Sequence, residues 1–488
     1  MHIPANLIFE SKLEKQMYRL NKIEKIKTKS ASDVAKSRLG IGFEKLDRDA
    51  FNPENAYDKV SKIGVKWIRI QSGWQKTEKE KGVYDFAWLD SIVDNIIARD
   101  MIPWMCVCYG NKIYGGMAEE VFGAVGCPPI HTEGQRGAWH NYCRALAEHY
   151  KGRVHHFEVW NEPDGLHCWK HGICAEEVGV FNIATAKALK EGNPDCYIIG
   201  GALGSITMPF ERDLFKTGML DYVDAISFHQ YVFDDTRLSH GIRALRAAID
   251  MYNPKIEIIQ GESGAQSRPN GNGALRTGAW TERKQCKLML RHLVTDLGMG
   301  CKFSSYFSAL DMMEALKGKV GDVGSYKDFA YFGVLRAEFD ENGVAIGEYS
   351  PKPSYYALSY LASLLSGETE AINLPITVQP DMAPHCGNSP TLKASQVEMY
   401  GFRLDNGALA LAYWHPSDFM TSDFEGAVSL ATAIEGKVQL LDPMDGTLYE
   451  LCEDMMAKDQ WNNDLLKLLP IKDYPIFLIF GEINQNEG

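Results

Sequence analysis

The sequence has no apolar run of the roughly 20 residues that a membrane-spanning helix needs. Its first residues, Met1-His2-Ile3-Pro4-Ala5-Asn6, lead into a Lys/Glu-rich stretch instead of an apolar leader core. It has no excess of positive charge. Lys plus Arg total 51 against 64 Asp plus Glu, a net charge of −13, and a general phosphate-backbone binder needs a basic face. No Gly-x-Gly-x-x-Gly follows the first apparent strand, which argues against a dinucleotide fold. Its eleven cysteines are odd in number and scattered through apparent strands and helices, so they are expected to be mostly reduced thiols rather than a disulfide framework. These absences lead to the expectation of a cytoplasmic protein with neither nucleic acid nor membrane as partner. Its substrate would be small or imported.

What is present is ordinary globular material, 45% hydrophobic and 24% charged, and 488 residues suffice for a large domain plus a smaller one. Residues 1–37 are expected to form a helical extension. Phe9, Leu13, Met17, Leu20 and Ile23 fall at helical spacing, and the helix would dock on the body or on another subunit, which leaves a homo-oligomer open. A frayed, solvated arm is the plainer alternative.

From Leu39 short strands alternate with longer helical stretches. The strands are 39–43, 65–70, 102–109, 155–160, 197–202, 224–228, 255–260 and 302–307, with helices such as 86–99, 137–150, 178–191 and 282–297 between them. Alternating strand and helix implies a parallel sheet, and eight repeats predict a closed (β/α)8 barrel over residues 38–366. Pro353 opens the last helix and Gly367 closes it. Residues 367–488 turn to short apolar runs separated by Asp405-Asn406-Gly407 and similar turns. They predict a small antiparallel β-sandwich-like domain, joined to the barrel without a low-complexity linker.

The most informative run is Val159-Trp160-Asn161-Glu162-Pro163, an apolar fourth strand that ends at a carboxylic acid with an amide beside it. Barrel chemistry sits at the C-terminal ends of the strands. The seventh strand also ends in a carboxylic acid, Glu262, and two carboxyls on two strand ends are the minimum for glycoside hydrolysis. A single Glu at a strand end is ordinarily a solvated surface residue. Two of them on the fourth and seventh strands of one barrel reverse that reading. Glu257 and Glu158 lie five and four residues earlier on the same strands, farther from the mouth.

In these residues the chain resembles the retaining glycoside hydrolases of clan A. The barrel-plus-β-sandwich plan and the Gly200-Gly201-Ala202 fifth strand are most similar to family 39, the β-xylosidase and α-L-iduronidase type. The resemblance implies that Glu162 is the general acid/base and Glu262 the nucleophile, with no cofactor and no metal. It also implies that Asn161 bonds the sugar 2-hydroxyl and that Arg69 lies near the nucleophile. His229 is expected to serve sugar hydroxyls and Tyr231 to donate to the nucleophile. A structural salt bridge for Arg69 and a satisfied buried imidazole for His229 are the alternatives. At the nucleophile this sequence reads Gly261-Glu262-Ser263-Gly264, where the family has a Thr-Glu-Trp-type context. The acid is expected to be kept protonated by Trp160 and by ionised Glu262.

Trp74, Trp160, Trp169, Trp280 and Tyr306 fall near strand ends and are expected to form a sugar platform, with ordinary core packing as the alternative. His167, Cys168, His171 and Cys174 resemble a zinc set in type, but their spacing matches no standard finger or ribbon. A pocket role for His167 or His171 is preferred. The functional expectation is a retaining glycosidase that releases a terminal sugar, a β-xyloside or arabinoside first, from an oligosaccharide or small glycoside. The competitors are a β-galactosidase or β-glucosidase on the same scaffold, a non-catalytic carbohydrate-binding protein, and a metal-dependent hydrolase built on the His/Cys cluster.

Overall fold

The computed structural model describes residues 20–314, 328–379, 392–421, 423–458, 462 and 464–483, with the Phe122 side chain left out. Eight parallel strands close a barrel: β1 Leu39–Gly42, β2 Trp67–Gln71, β3 Ile102–Val107, β4 His156–Val159, β5 Tyr197–Leu203, β6 Ala225–Phe228, β7 Glu257–Ser263 and β8 Ser304–Tyr306. The ring closes where Leu39 pairs with Ser304 and Ile41 with Tyr306. All eight expected strands are present, within a few residues of their expected ends.

Helices Ala87–Ile97, Glu133–His149, Ala175–Gly192, Met208–Lys216, Asp235–Asp250, Glu282–Gly298 and Pro353–Leu364 follow strands two to eight in turn. Several of their starts carry the chemistry that helix starts require. Thr132 and Gln135 form a reciprocal capping box, Thr281 accepts from the Lys284 N–H, and Pro353 occupies the first turn. No helix among the described residues is long and apolar enough to cross a membrane.

Beyond the barrel lie a seven-stranded and a four-stranded antiparallel sheet. Strand Leu409–Trp414 shows how they pack. Leu411 and Tyr413 join the apolar layer between the sheets with Val428, Leu430 and Leu478, whereas Ala410, Ala412 and Trp414 face the barrel core. The two-residue period of a strand thus serves two cores at once. The buried Lys287 of helix Glu282–Gly298 ties the units together through Asp423 and, at 2.7 Å, the buried Asp473.

One expectation is corrected here. The stretch expected to be helical contains a strand, Asn21–Lys25, paired antiparallel with Thr447–Glu450 at the edge of the seven-stranded sheet. The pairing is possible because the facing strand offers unpaired backbone groups there, and edge pairing outweighs a weak local helical pattern. The rest of that expectation, residues 1–19, lies outside the described residues. The ten described cysteines form no disulfide.

Candidate active site

The C-terminal mouth of the barrel holds an open cavity of about 940 Å3 lined by Glu44, Asn161, Glu162, Tyr231 and Glu262 among others. The chain reaches this mouth through a strained corner after β4. Trp160 and Glu162 both take left-handed backbone conformations, with φ of 65° and 46°. Such conformations are costly for side-chain-bearing residues and persist only when the surroundings impose them. The Glu162 N–H is held by the Ala202 carbonyl at 2.7 Å, where β5 bulges between Gly200 and Leu203. The bulge at Gly200-Gly201-Ala202 therefore aims the neighbouring strand's carboxylic acid.

Arg69, wholly buried on β2, is the hub of the floor. Its Nε and Nη2 donate to Glu158 Oε2 at 2.8 and 2.6 Å, Nη2 also to Asn161 Oδ1 at 2.8 Å, and Nη1 to Glu262 Oε2 at 2.7 Å. Glu44 Oε1 lies 2.8 Å from Nη1 as an ion pair but off the hydrogen-bond direction. Tyr231 donates to the other Glu262 oxygen at 2.8 Å. Both oxygens of Glu262 are thus fixed. Burial, together with the charge of Glu262, raises the Tyr231 hydroxyl well above its ordinary range and keeps it a donor.

Burial pushes Glu44 up to about 7, assisted by Glu262 and opposed by Arg69. Burial also penalises Glu158, but Arg69, His229 and Ser227 outweigh it and bring its pKa down to about 2. For Glu162, burial is outweighed by hydrogen bonds from His167 at 2.5 Å and His229 at 3.3 Å, so its carboxyl is held below the usual range. His167, beside the Cys168 thiol and the Glu162 carboxylate, is raised to about 11. His229 is raised to about 10, since Glu158 and Glu162 outweigh burial and Arg69. The expectation that Trp160 and Glu262 keep Glu162 protonated is therefore corrected. The two imidazoles beside Glu162 favour its carboxylate form against the penalty of burial.

The sequence-derived site residues divide. Glu162, Glu262, Asn161 and Tyr231 meet at the cavity. Arg69 and His229 lie beneath its floor, fully buried, so His229 touches Glu158 and Glu162 rather than offering itself to sugar hydroxyls. The aromatic platform is a second correction. Trp74 stacks on Tyr142 and donates to Glu78, Trp160 donates to the Cys168 carbonyl and packs edge-on to Trp139, and Trp169 packs against both Trp160 and Phe181. Trp280 stacks on Phe233, and Tyr306 donates to the Phe332 carbonyl. All five are buried, because rings at strand ends of this barrel fill the space between strands and helices. Among the described residues, the Tyr and Phe rings that line the cavity are Tyr109, Tyr231, Phe307 and Phe332.

Sequence reasoning missed Glu44, although it directly follows the first expected strand and so carries the same strand-end signal as Glu262. It also missed the contact of His167 with Glu162, for which the sequence holds no signal beyond proximity. The four-residue His/Cys set does not converge. His171 turns to Glu177 and stacks edge-on to His131, and Cys174 sits by Glu176. His167 and Cys168 instead meet Glu162, with ligand-type atoms within 4.8 Å of one another. His167 Nε2 and Glu162 Oε2 are hydrogen-bonded at 2.5 Å within that set. The other convergent set, Glu162, His229 and Glu262, also lies within 4.8 Å.

The family model described as Glycosyl hydrolases family 39 matches residues 49–260. The match takes in the Glu162 corner and stops just before Glu262, where the Gly-Glu-Ser-Gly context begins. A β-xylosidase of Geobacillus stearothermophilus is 26% identical over 202 residues, which cover 37% of this chain and 38% of that protein. The chain therefore matches less than half the length of this curated relative. Among solved structures, a family 39 glycoside hydrolase from Bacteroides cellulosilyticus WH2 superposes with a TM-score of 0.61 at 16% identity, covering 91% of this chain and 81% of that one. A monomeric β-xylosidase from Caulobacter crescentus CB15 gives 0.57 at 17% identity, covering 94% and 97%. Both likenesses speak for the barrel-plus-sandwich fold. Over residues 49–260, less than half of its length, the chain is thus similar to family 39 glycoside hydrolases, and its whole described fold is similar to theirs.

Proposed function

We propose that this chain is a retaining glycosidase that releases a terminal sugar, a β-xyloside or an arabinoside first, by double displacement, with Glu262 as nucleophile and Glu162 as acid/base. The observation that carries this reading is the spacing of the two carboxyls. An oxygen of Glu162 and one of Glu262 lie within 4.8 Å of each other. Retaining enzymes hold these groups about 5–5.5 Å apart, and inverting enzymes farther, to leave room for water.

In the first step Glu262 attacks the anomeric carbon, and the leaving oxygen takes a proton from Glu162. The resting pair is imidazolium and carboxylate. A substrate that fills the cavity removes water, and a drier site favours the neutral pair, which moves the proton from His167 Nε2 to Glu162. Asn161, braced by Arg69, presents its amide group to the sugar. Once Glu262 is esterified, Glu158 still balances Arg69. In the second step Glu162, now a carboxylate, takes a proton from water as that water attacks the anomeric carbon and Glu262 departs. The Geobacillus relative named as a β-xylosidase supports the choice of sugar. No step calls for a cofactor.

A panel of aryl β-xylosides, α-arabinosides, β-glucosides and β-galactosides tests the reading. Glu262→Gln is expected to abolish turnover. Glu162→Ala is expected to spare dinitrophenyl substrates and to yield a β-glycosyl azide from a β-glycoside when azide is added. Full activity of either variant on ordinary substrates would refute it.

A further inference from the structure

We propose that His167 is a positioning residue that stores the proton Glu162 delivers to the leaving group. The inference rests on the acid/base reading of Glu162 and adds to it the source of the proton.

The loop after β4 is built to bring this imidazole back onto the carboxylate. The Gly165 N–H bonds the Glu162 carbonyl at 3.1 Å, and the Cys168 and Trp169 N–H groups bond the Gly165 carbonyl at 3.0 and 2.8 Å. This single turn lays the His167 ring over Gly165 so closely that a Cβ there would stand 2.3 Å from His167 Cε1. Only a glycine leaves room for the ring. Its Nε2 then reaches Glu162 Oε2 at 2.5 Å. The His167 side chain is 44% exposed and that of Glu162 13%, so the imidazole connects a shielded carboxylate with solvent. A group in that place can give its proton inward and recover it from water.

The charged and titratable neighbours are few. On the same loop they are Glu162, Cys168 and Asp164, the last held by the Gly204 and Ser205 N–H groups at 2.7 and 3.0 Å. From β6 His229 reaches the other Glu162 oxygen, and from β7 Glu262 faces it across the cavity. Buried beneath the floor, His229 cannot exchange with solvent as His167 can. Cys168 Sγ accepts from the Asn161 amide at 3.4 Å and lies beside both Glu162 and His167. Cys168 first and Glu162 next raise the imidazole above its ordinary range.

The experiment compares wild type with His167→Gln and His167→Asn. Gln retains a hydrogen-bond donor but cannot carry a mobile proton. Rates are taken across pH on a nitrophenyl and a dinitrophenyl glycoside, with thermal midpoints as a check on folding. Both variants are expected to lose about tenfold or more in kcat/KM on the poorer leaving group, within the range general-acid catalysis supplies. They are expected to change little on the dinitrophenyl substrate, and their basic limb should move down by a pH unit or more. A His167→Gln enzyme with the wild-type pH profile and leaving-group dependence would overturn the proposal. Azide rescue of Glu162→Ala in the same series separates the two ideas. If rescue succeeds while the His167 variants are silent, the acid/base reading stands and the proton store falls. If rescue fails as well, the acid/base reading itself falls and takes the proton store with it.

Discussion

Arg69 and Glu158 are joined by two hydrogen bonds to a single oxygen, Nε at 2.8 Å and Nη2 at 2.6 Å from Glu158 Oε2, with both side chains wholly buried. A buried pair of this kind contributes little against a well-packed apolar substitute, yet removing one partner strands the other. Here Arg69 must stay charged and fixed, because its Nη1 also holds Glu262.

Glu158→Gln is therefore expected to lower stability at pH 7 by about 3–5 kcal/mol, read by chemical denaturation. The pH dependence has a definite sign. The Glu158 carboxyl is lowered from 4.5 to about 2, so the folded state binds its proton less readily than the unfolded chain. Its contribution is fully present above about pH 4.5 and is lost as pH falls toward 2. The gap between wild type and variant should narrow over that window. A constant gap from pH 6 to pH 3 would contradict the ion-pair account.

Tyr231→Phe removes a 2.8 Å donor from Glu262, the proposed nucleophile. A hydrogen bond to a charged group is worth about 1.5–3 kcal/mol, or roughly tenfold to a hundredfold in rate. Negative charge disappears from Glu262 when the ester forms and returns when it breaks, so the loss should fall on the second step. Pre-steady-state kinetics with a dinitrophenyl glycoside should show a larger burst, a kcat lowered by about tenfold or more, and a lower KM. An unchanged burst with raised KM would place Tyr231 in substrate binding instead.

Lys287→Met leaves the Asp473 carboxylate buried without its cation, with the Phe424 N–H at 3.2 Å as a remaining neighbour. The expected loss is about 3–5 kcal/mol, expressed as a lower thermal midpoint. Asp473→Asn in the Lys287→Met background should recover part of it. If the double variant is no more stable than the single, the stranded charge is not the cause.

Gly165→Ala should push the His167 ring off Glu162, since the added methyl would stand 2.3 Å from Cε1. The expected outcome is the leaving-group dependence of a His167 variant with little change in stability. Gly137→Ala serves as control. That glycine lies inside helix Glu133–His149 with nothing within 4 Å of its would-be Cβ, so alanine should raise stability by about 0.5–1 kcal/mol and leave activity alone.

The barrel was legible because its signals are local. Most of the strands lie in short runs rich in apolar residues, the helices between them are longer and several begin at a capping residue or a proline, and alternation of the two leaves few topologies. The strands of the seven-stranded sheet were legible where both faces are buried, as in Ile476–Phe480, a continuous apolar run. Glu425–Thr432 and Asp464–Lys472 of the four-stranded sheet were not. The first is rich in small residues, and the second carries Lys467 and Pro470, which mark an edge or a bulge in isolation. Their pairing with each other, bulged near Val428, stabilises them as strands.

The sequence by itself determined the periodicity of the barrel and the residue type at each strand end, and hence Glu162 and Glu262, because these depend on neighbours along the chain. Only the tertiary structure decided what surrounds those carboxyls. Gly261 is one case. A Cβ there would meet Glu158 Oε1 and His229 Nε2 at 2.9 Å, so the glycine before Glu262 is required by groups 103 and 32 positions away in the chain. Ring burial is another, since whether a tryptophan near a strand end faces sugar or core depends on helices elsewhere in the chain. Charge is the third. The protonation of Glu162 follows from His167 and His229, and electrostatic interactions act through space at distances of a few ångströms, without regard to separation along the chain.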